Sequence, residues 1–522
     1  MFMPTRTPIF KEHPIAALVV ICLSVFVVSV DATIVNVALP TLSRELDADT
    51  AQLQWIVDAY TLVMAGLMLS MGSLADRFGR RGFLSAGLAL FAVTSAVAAQ
   101  VNAADALIWG RAAMGVGAAV IFPATLALIT NIFTQPAQRA KAIGLWAAMV
   151  GVGVAAGPIS GGWLLEHFSW GSIFLVNMPI AVLAIIGGWL FIPTSRDPAT
   201  PPVDFMGLIL SAIGVTALVY SIIEAPNHGW TSGHTIAGFT VAATVIAAFI
   251  WWEQRRTHPM FDLSVFRNRR FSGGSLAITA GFLTLFGFIF VITQYFQSIK
   301  GYSAFETGVR LLPVAVSIAI ASIVGPRIVE RIGTTVVVAG GLATFAAGLG
   351  WASTASASTP YLEIAVQMVL LGAGLGLTTA PGTESIMGSL SADKAGVGSA
   401  VNDTTRELGG TLGVAIVGSV FASIYTGRLG SNATVSALPA EVRATMERSM
   451  AAAQQVIGRL PQPVIPDVRA AVNTAFLDGM QVGSMVSAGI AAAAAVVVAV
   501  LLPSRARQTV PTEESQPEVV PA

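Results

Sequence analysis

Charge is scarce in this chain: Asp, Glu, Lys and Arg make up 11% of its 522 residues, against about 25% in a soluble domain. Cysteine is scarcer still. Cys22 stands alone, which excludes an intrachain disulfide and leaves a cysteine metal site without support. The five histidines, His13, His167, His228, His234 and His258, all fall at or outside the ends of the apolar segments. Lys plus Arg (28) equals Asp plus Glu (28), so no net field recommends nucleic acid as a partner. No GxxxxGK[ST] loop occurs, so ATP-driven pumping has no support either.

What is abundant is apolar surface. The chain is 54% hydrophobic with a mean hydropathy of +0.75, enough for a dozen or more spans at about 20 residues each. Scanning for stretches of about 17–25 residues predicts fourteen spans. They lie near 14–39, 52–74, 83–100, 105–130, 140–165, 170–192, 204–224, 234–252, 271–296, 304–325, 334–352, 360–381, 396–425 and 479–502. Arg6 and Lys11 precede the first apolar run as in a signal peptide, but the run is too long and many like it follow. It is expected to be retained.

Basic residues set the orientation. With the N-terminus inside, inner segments hold Arg6, Lys11, Arg77, Arg80, Arg81, Arg139, Lys141, Arg196, Arg255, Arg256, Arg267, Arg269, Arg270, Arg327, Arg331, Lys394, Arg505 and Arg507, which is 18 of the 28. Short outer loops hold only Arg44 and Lys300. Both termini are therefore expected in the cytoplasm. Residues 426–478 form one long outer loop, in which EVRATMERSMAAAQQVIGRL reads as an amphipathic surface helix. Asn432-Ala433-Thr434 matches a glycosylation sequon, a short pattern of little weight. The Pro- and Glu-rich tail, 503–522, reads as disordered.

Duplicated cues divide the chain. GSLADRFGRRG (Gly72 to Gly82), between spans 2 and 3, has a worn counterpart in GPRIVERIGT (Gly325 to Thr334), between spans 10 and 11. The expected architecture is all-α and integral to the membrane. A six-helix half over 14–192 and another over 271–502 would be the repeats, with two inserted helices over 204–252.

Five stretches, in the right spans and order, resemble the major facilitator superfamily, and within it the fourteen-span drug:proton antiporters. GSLADRFGRR resembles the superfamily's signature loop and GVGVAAGPISGG (Gly151 to Gly162) its antiporter glycine-proline motif. DATIVNVALP resembles the group's first-span signature, LIWGRAAMGVGAA (Leu107 to Ala119) its fourth-span motif with a buried arginine, and GVGSAVNDTTRELGGTLGVAIVGSVF (Gly396 to Phe421) its thirteenth span. The resemblance covers nearly the whole chain except the long loop and the tail. Two departures stand out. Gly171 and Ser172 replace the Arg-Trp of many relatives, which is expected to loosen the outer end of span 6. The second-half loop has Arg327 and Glu330 but not the full acidic-basic pattern, so the gating role transfers only to the first-half loop.

A carboxylate at the centre of a spanning helix costs about 2.5–3.5 kcal/mol on insertion scales, and such groups face a cavity or a partner. A low-dielectric setting disfavours the ionised form, which is what lets a carboxyl group load and release a proton. Asp31 follows Ile15 by sixteen residues, roughly 24 Å along a helix, in the outer half of span 1. Asp58 and Arg111 reach a similar level from outside. One shared network of Asp31, Asp58 and Arg111 is expected, with a structural ion pair as the plainer reading, best suited to Asp58. The resemblance implies that spans 1 and 4 face the first-half cavity and that the acid–arginine pair takes part in proton coupling. Span 13 carries Asn402, Asp403, Arg406 and Glu407. Asp403 and Arg406 can pair three residues apart, leaving Glu407 for a proton or a cationic substrate; in the alternative, Arg406 pairs with Glu407. Glu306 with Arg310 reads as a boundary salt bridge, Glu224 as interfacial and Glu384 as solvated.

Gly153, Gly157 and Gly161 recur every four residues in span 5 and make a face for close helix approach. Pro158 kinks that helix. With the resemblance, the face is expected to seal the substrate path in one state; without it, ordinary packing is the simpler reading. Around Gly72, Asp76 sits near Arg77, Arg80 and Arg81. The acid could accept from helix-end amides or bridge to a neighbouring span, and the resemblance implies an inner-gate role. Arg81 needs no more than the positive-inside rule.

The expectation is a proton-driven exporter of amphipathic, cationic or aromatic compounds in a bacterial inner membrane. It would act as a monomer among membrane lipids, with protons as its second cargo and no cofactor beyond the proton gradient. The alternative is export of an endogenous lipid, siderophore or secondary metabolite. A remote alternative is an intramembrane enzyme, which would need catalytic pairs or metal ligands that the spans do not offer.

Overall fold

The computed structural model describes residues 13–195, 204–257, 259, 263–390 and 395–504. His258, Arg6, Lys11, Arg196, Lys394, Arg505 and Arg507, and nearly all of the predicted tail, lie outside the described residues. The described elements are all helical. Thirteen helices are long and apolar enough to cross a membrane. Span 2, bent by 55° between its Thr50–Met68 and Ser70–Phe78 parts, makes fourteen.

The spans are Pro14–Glu45, Thr50–Phe78, Arg80–Ala98, Ala104–Ile132, Pro136–His167, Ser172–Leu175 with Asn177–Phe191, Phe205–His228, Gly233–Glu253, Arg269–Gln294, Ala304–Arg310 with Leu312–Ile332, Thr334–Ala352, Tyr361–Met387, Ala395–Ser431 and Ile465–Leu501. Local chemistry places their ends. Pro14 and Pro136 open spans 1 and 5, where a missing N–H costs nothing. Capping boxes start span 2 (Asp49 with Gln52) and span 10 (Ser303 with Glu306). Gly79 (φ 113°) and Gly333 (φ 89°) turn the chain between spans 2 and 3 and between spans 10 and 11 in a conformation that suits glycine.

Packing repeats with an offset of eight spans. Span 1 packs on spans 4, 5 and 6, and span 9 on spans 12, 13 and 14; span 2 meets span 4 as span 10 meets span 12. Span 3 lies on spans 4 and 6, as span 11 lies on spans 12 and 14. The two Gly turns match as well. The Arg80 N–H donates to Ser195 O at 3.0 Å, and the Thr334 N–H to Ser504 O at 3.1 Å. Spans 7 and 8 pair with each other, and span 7 touches spans 2 and 13.

We call the membrane end nearer Pro14 proximal and the other distal. Among the described residues, the hydrogen bonds that join the two sets of six spans, and the loop after span 13, all lie in the distal part. Gln54 Nε2 donates to Val414 O and Ala415 O, each at 3.0 Å. Thr61 and Thr411 share a 2.8 Å hydroxyl bond, Gln297 Nε2 reaches Val37 O at 2.8 Å, and the Phe305 N–H donates to Glu166 at 3.2 Å. The two main contacts, span 2 with span 13 and span 10 with span 5, are related by the same offset of eight.

The region read as a long surface loop is largely a docked structure. Span 13 continues to Ser431 and span 14 begins at Ile465. The extension of span 14 buries Val468, Ala471, Val472, Ala475 and Phe476, a helical stripe that sets Phe476 edge to face against Phe421 with ring centroids 5.0 Å apart. An amphipathic pattern was present there, but it is not a continuous apolar run. The expected single helix over 441–460 is two, Ala440–Arg448 and Met450–Ile457, broken at an extended Ser449. At the break, Ser449 bonds Ser43 at 2.8 Å, and Arg448 O accepts from Thr50 at 3.0 Å. The Arg448 guanidinium holds both the carboxylate and the backbone oxygen of Asp47, at 2.7 and 2.8 Å. Asp47 has a φ of 51°, the one positive value outside glycine among the described residues, and aspartate tolerates it better than most side chains. A strap from the second half is thus fastened across the turn between spans 1 and 2.

Candidate functional site

Asp31 and Arg111 are fully buried, at 0% and 1% exposure, and form a direct salt bridge between spans 1 and 4. Each is held by further partners. Asp31 Oδ1 accepts from Asn177 Nδ2 at 2.8 Å, and the same amide reaches Ser95 Oγ at 3.1 Å. Ser95 in turn donates to Phe174 O at 2.8 Å. Arg111 Nε donates to Ile56 O at 3.1 Å, and its guanidinium lies 4.2 Å from the Tyr60 ring centroid, a favourable cation–π geometry. Tyr60 Oη donates to Val28 O at 3.2 Å. The cluster draws on spans 1, 2, 3, 4 and 6 and closes on itself.

Asn177, Ser95 and Tyr60 were not singled out from the sequence. Span 6 is interrupted at Val176, just before Asn177, and Pro179 follows with no N–H to give. An Asn beside a Pro-disturbed turn was the available signal. The expected loosening of this end does not occur: a Cβ on Gly171 would collide with the Ala99 carbonyl, and Ile173 and Phe174 are buried. The missing side chain lets the turn sit closer. Replacing Asn177 with Ala should destabilise the purified protein by about 1–3 kcal/mol, because Asp31 Oδ1 loses a buried donor. A thermal melt checks this; an unchanged midpoint would remove Asn177 from the cluster.

The expected three-way network with Asp58 is not formed. Asp58 is fully buried, yet neither carboxylate oxygen has a hydrogen-bond partner among the described residues. Helix geometry explains the separation. Tyr60 and Ile56 each stand two residues from Asp58, about 200° around the helix, and they face Arg111. Gln54 and Thr61, four before and three after Asp58, both bond span 13. Asp58 therefore lies on the seam between the halves. The reading of Asp58 as the better fit to a structural ion pair is reversed: Asp31 has the pair and Asp58 has none.

On span 13, Arg406 Nη1 stands 3.9 Å from Asp403 Oδ1, and its guanidinium lies 4.7 Å from the Phe282 ring centroid. Asn402 accepts from Thr383 at 3.0 Å and donates to Asp403 at 3.3 Å. The Glu407 carboxylate has no hydrogen bond or ion pair among the described residues, although its backbone oxygen accepts from Thr411 at 3.0 Å. Glu306 pairs with Arg310 at 3.4 Å, Glu224 accepts from Asn227 at 3.0 Å, and Glu384 is exposed.

The glycine face of span 5 packs on span 1 around the turn that carries Asp31. A Cβ at Gly153 would fall 2.7 Å from Ser29 Cβ, one at Gly157 2.8 Å from Val30 O, and one at Gly161 2.6 Å from Ile34 Cγ1. The contact with the other half is made by neighbours of that face. A Cβ at Gly162 would lie 2.6 Å from Phe305 N, and one at Gly308 2.6 Å from the carbonyl carbon of Pro158. At the proximal end, Asp76 pairs with Arg80 at 2.6 Å within its own loop. It bridges to no neighbouring span among the described residues. Arg77 is exposed, a Cβ on Gly72 would lie 3.3 Å from Pro123 Cβ, and Arg81 stacks on Trp189 with 4.7 Å to the ring centroid.

Two like-packed helical sets joined at one end, with an ion pair buried inside the first of them, fit a membrane transporter. The family model described as Major Facilitator Superfamily matches residues 21–414, and the chain belongs to that superfamily. It is 35% identical to the multidrug efflux pump LfrA of Mycolicibacterium smegmatis, over 95% of this chain and 97% of that one. It is also 35% identical to the multidrug resistance protein Stp of Mycobacterium tuberculosis, over 77% of this chain and 74% of that one. Among solved structures, a bacterial homologue of the human lysosomal transporter Spinster, in an inward-facing and unoccupied conformation, matches with a TM-score of 0.68 at 16% identity, over 95% of this chain and 99% of that one. That likeness shows the fold.

Proposed function

We propose that the protein exports amphipathic, cationic or aromatic drugs from the cytoplasm of a bacterium in exchange for protons. The observation that carries the reading is the sealed Asp31–Arg111 pair; the names of the two relatives, efflux pump and multidrug resistance protein, supply its direction and cargo. In this reading the proximal end is cytoplasmic, both termini lie inside, and the carrier works as a monomer in the inner membrane. No cofactor takes part.

A proton arriving on Asp31 cancels the charge that holds Arg111. The guanidinium keeps Ile56 O and the Tyr60 face, but the link between spans 1 and 4 weakens, and the glycine face of span 5 moves with span 1. Asp58 and Glu407, whose carboxylates have no partner among the described residues, become the further stations for proton or cationic substrate. Asn402, Asp403 and Arg406 line the second-half side. Gly72, Asp76, Arg77 and Arg80 hinge the cytoplasmic end while the halves rock. Each charge moved inward along the membrane potential gains about 2.3 kcal/mol per 100 mV, enough to bias export without ATP.

Proteoliposomes with an imposed pH gradient, loaded with a cationic dye such as ethidium, test this. Dye should move against the proton flow and stop when the gradient is collapsed. Dye movement indifferent to the gradient would sink the proton-exchange reading.

A further inference from the structure

A cavity of about 260 Å³ lies at the distal end, between the first turns of span 2, the ends of spans 7 and 13, and the strap helix Ala440–Arg448. Its polar lining includes Asp49, Gln54, Asn227, Thr426, Glu447 and Arg448. The cavity is separate from the Asp31–Arg111 cluster and serves no step of transport described above.

Its chemistry is lopsided. Gln54 is fully buried. Its amide nitrogen is committed to two carbonyls of span 13, which fixes the amide orientation and leaves Oε1 with no donor. The Glu447 carboxylate has no hydrogen bond or ion pair among the described residues, and Asp49 adds a second acid. The one cation in the lining, Arg448, has both terminal nitrogens engaged by Asp47. Acceptors and negative charge therefore exceed donors and positive charge. A buried acceptor left unmatched costs about 1–3 kcal/mol, so the complementary guest carries both a positive charge and N–H groups. The volume, below the ~300–1,000 Å³ of drug-sized pockets, suits a headgroup or a small cation.

We propose that this cavity binds a small organic cation bearing N–H donors, of the guanidinium or primary-ammonium class, from the distal side, and that its occupancy holds the distal end closed. The guest touches span 2 from one half and span 13 with its strap from the other, so the site exists only while those elements are together. A ligand that binds one state alone shifts the population toward it by mass action.

Calorimetric titration of the purified full-length protein with methylguanidinium, and with tetramethylammonium at equal ionic strength, is the test. Saturable methylguanidinium binding is expected, with tetramethylammonium weaker by at least about tenfold, since it has charge but no donor. Glu447→Gln should weaken methylguanidinium about tenfold or more, and Gly350→Ala, remote from the cavity and with open space around its Cβ position, should leave it unchanged. Glu447 stands on the strap rather than in a span, so its variant tests the site even if Gln54→Leu fails to fold. Absence of saturable binding, equal binding of the two cations, or binding that survives Glu447→Gln at unchanged affinity would each overturn the proposal. The last outcome would move the cation to another site.

Discussion

Asp31→Asn should abolish proton-driven transport and also destabilise the protein, by about 3–5 kcal/mol, because it strands the Arg111 charge in a dry interior. Loss of transport alone would not separate coupling from folding, so a second variant is needed. In Asp31→Asn/Arg111→Leu the stranded charge is gone, and leucine keeps an apolar side chain against Tyr60. Stability should return to near that of the unaltered protein, giving a coupling energy of several kcal/mol between the two positions. Transport should stay absent. Thermal unfolding and gradient-driven dye uptake on the unaltered protein, Asp31→Asn, Arg111→Leu and the double variant complete the cycle. If the double variant regains gradient-driven transport together with its stability, the pair is a structural brace and the proton is handled elsewhere, with Asp58, Asp403 and Glu407 the remaining candidates.

That cycle also marks how far the sequence reached. Counting helical rise brought Asp31 and Arg111 to one depth, and this was enough to pair them only together with the family resemblance, which implies an acid–arginine pair. It was not enough for Asp58, which shares the depth but lies about 200° around span 2 from Tyr60 and Ile56. Rotation about a helix shows in the sequence only when one face differs from the rest, and span 2 is buried nearly all round in its first turns. Ser95 and Gln54 were illegible for another reason. Neutral polar residues pass through membrane helices without an insertion penalty large enough to flag them, so only the tertiary arrangement separates a partner of Asp31 from a bystander. Proline, capping boxes and glycine turns mark some span ends, such as those of spans 2, 5 and 10, but span 14 begins at Ile465, well before the apolar run that marked it. The strap was not, since a surface amphipathic helix and a docked one have the same pattern; Ser449 and the Arg448–Asp47 clamp are settled by contacts about 400 residues apart in sequence.

Gly308→Val should hold the distal end open. Gly308 lies in the short helix Ala304–Arg310 and packs against the Pro158 carbonyl; a Cβ there would stand 2.6 Å from its carbon and 3.0 Å from Ile159 Cα. These are backbone atoms that cannot rotate away, so the strain falls on the approach of span 10 to span 5. Overpacking of this kind costs about 1–3 kcal/mol, and every 1.4 kcal/mol shifts an equilibrium about tenfold. Because span 2 with span 13 is the counterpart of span 10 with span 5 in the eightfold offset, both contacts should part together. The readout is a cysteine at Ser419, buried on that second contact, in a Cys22→Ser background. A membrane-impermeant thiol reagent added from the distal side should label it slowly in the unaltered sequence and about tenfold faster with Gly308→Val. Turnover should fall in parallel, because a carrier that cannot close its distal end cannot reset. Gly350→Ala supplies the control, having open space around its Cβ position, and should change neither rate. Equal labelling with and without Gly308→Val would mean that the two contacts open independently, and that the span 2–span 13 seam with its Gln54 and Thr61 bonds closes the distal end on its own.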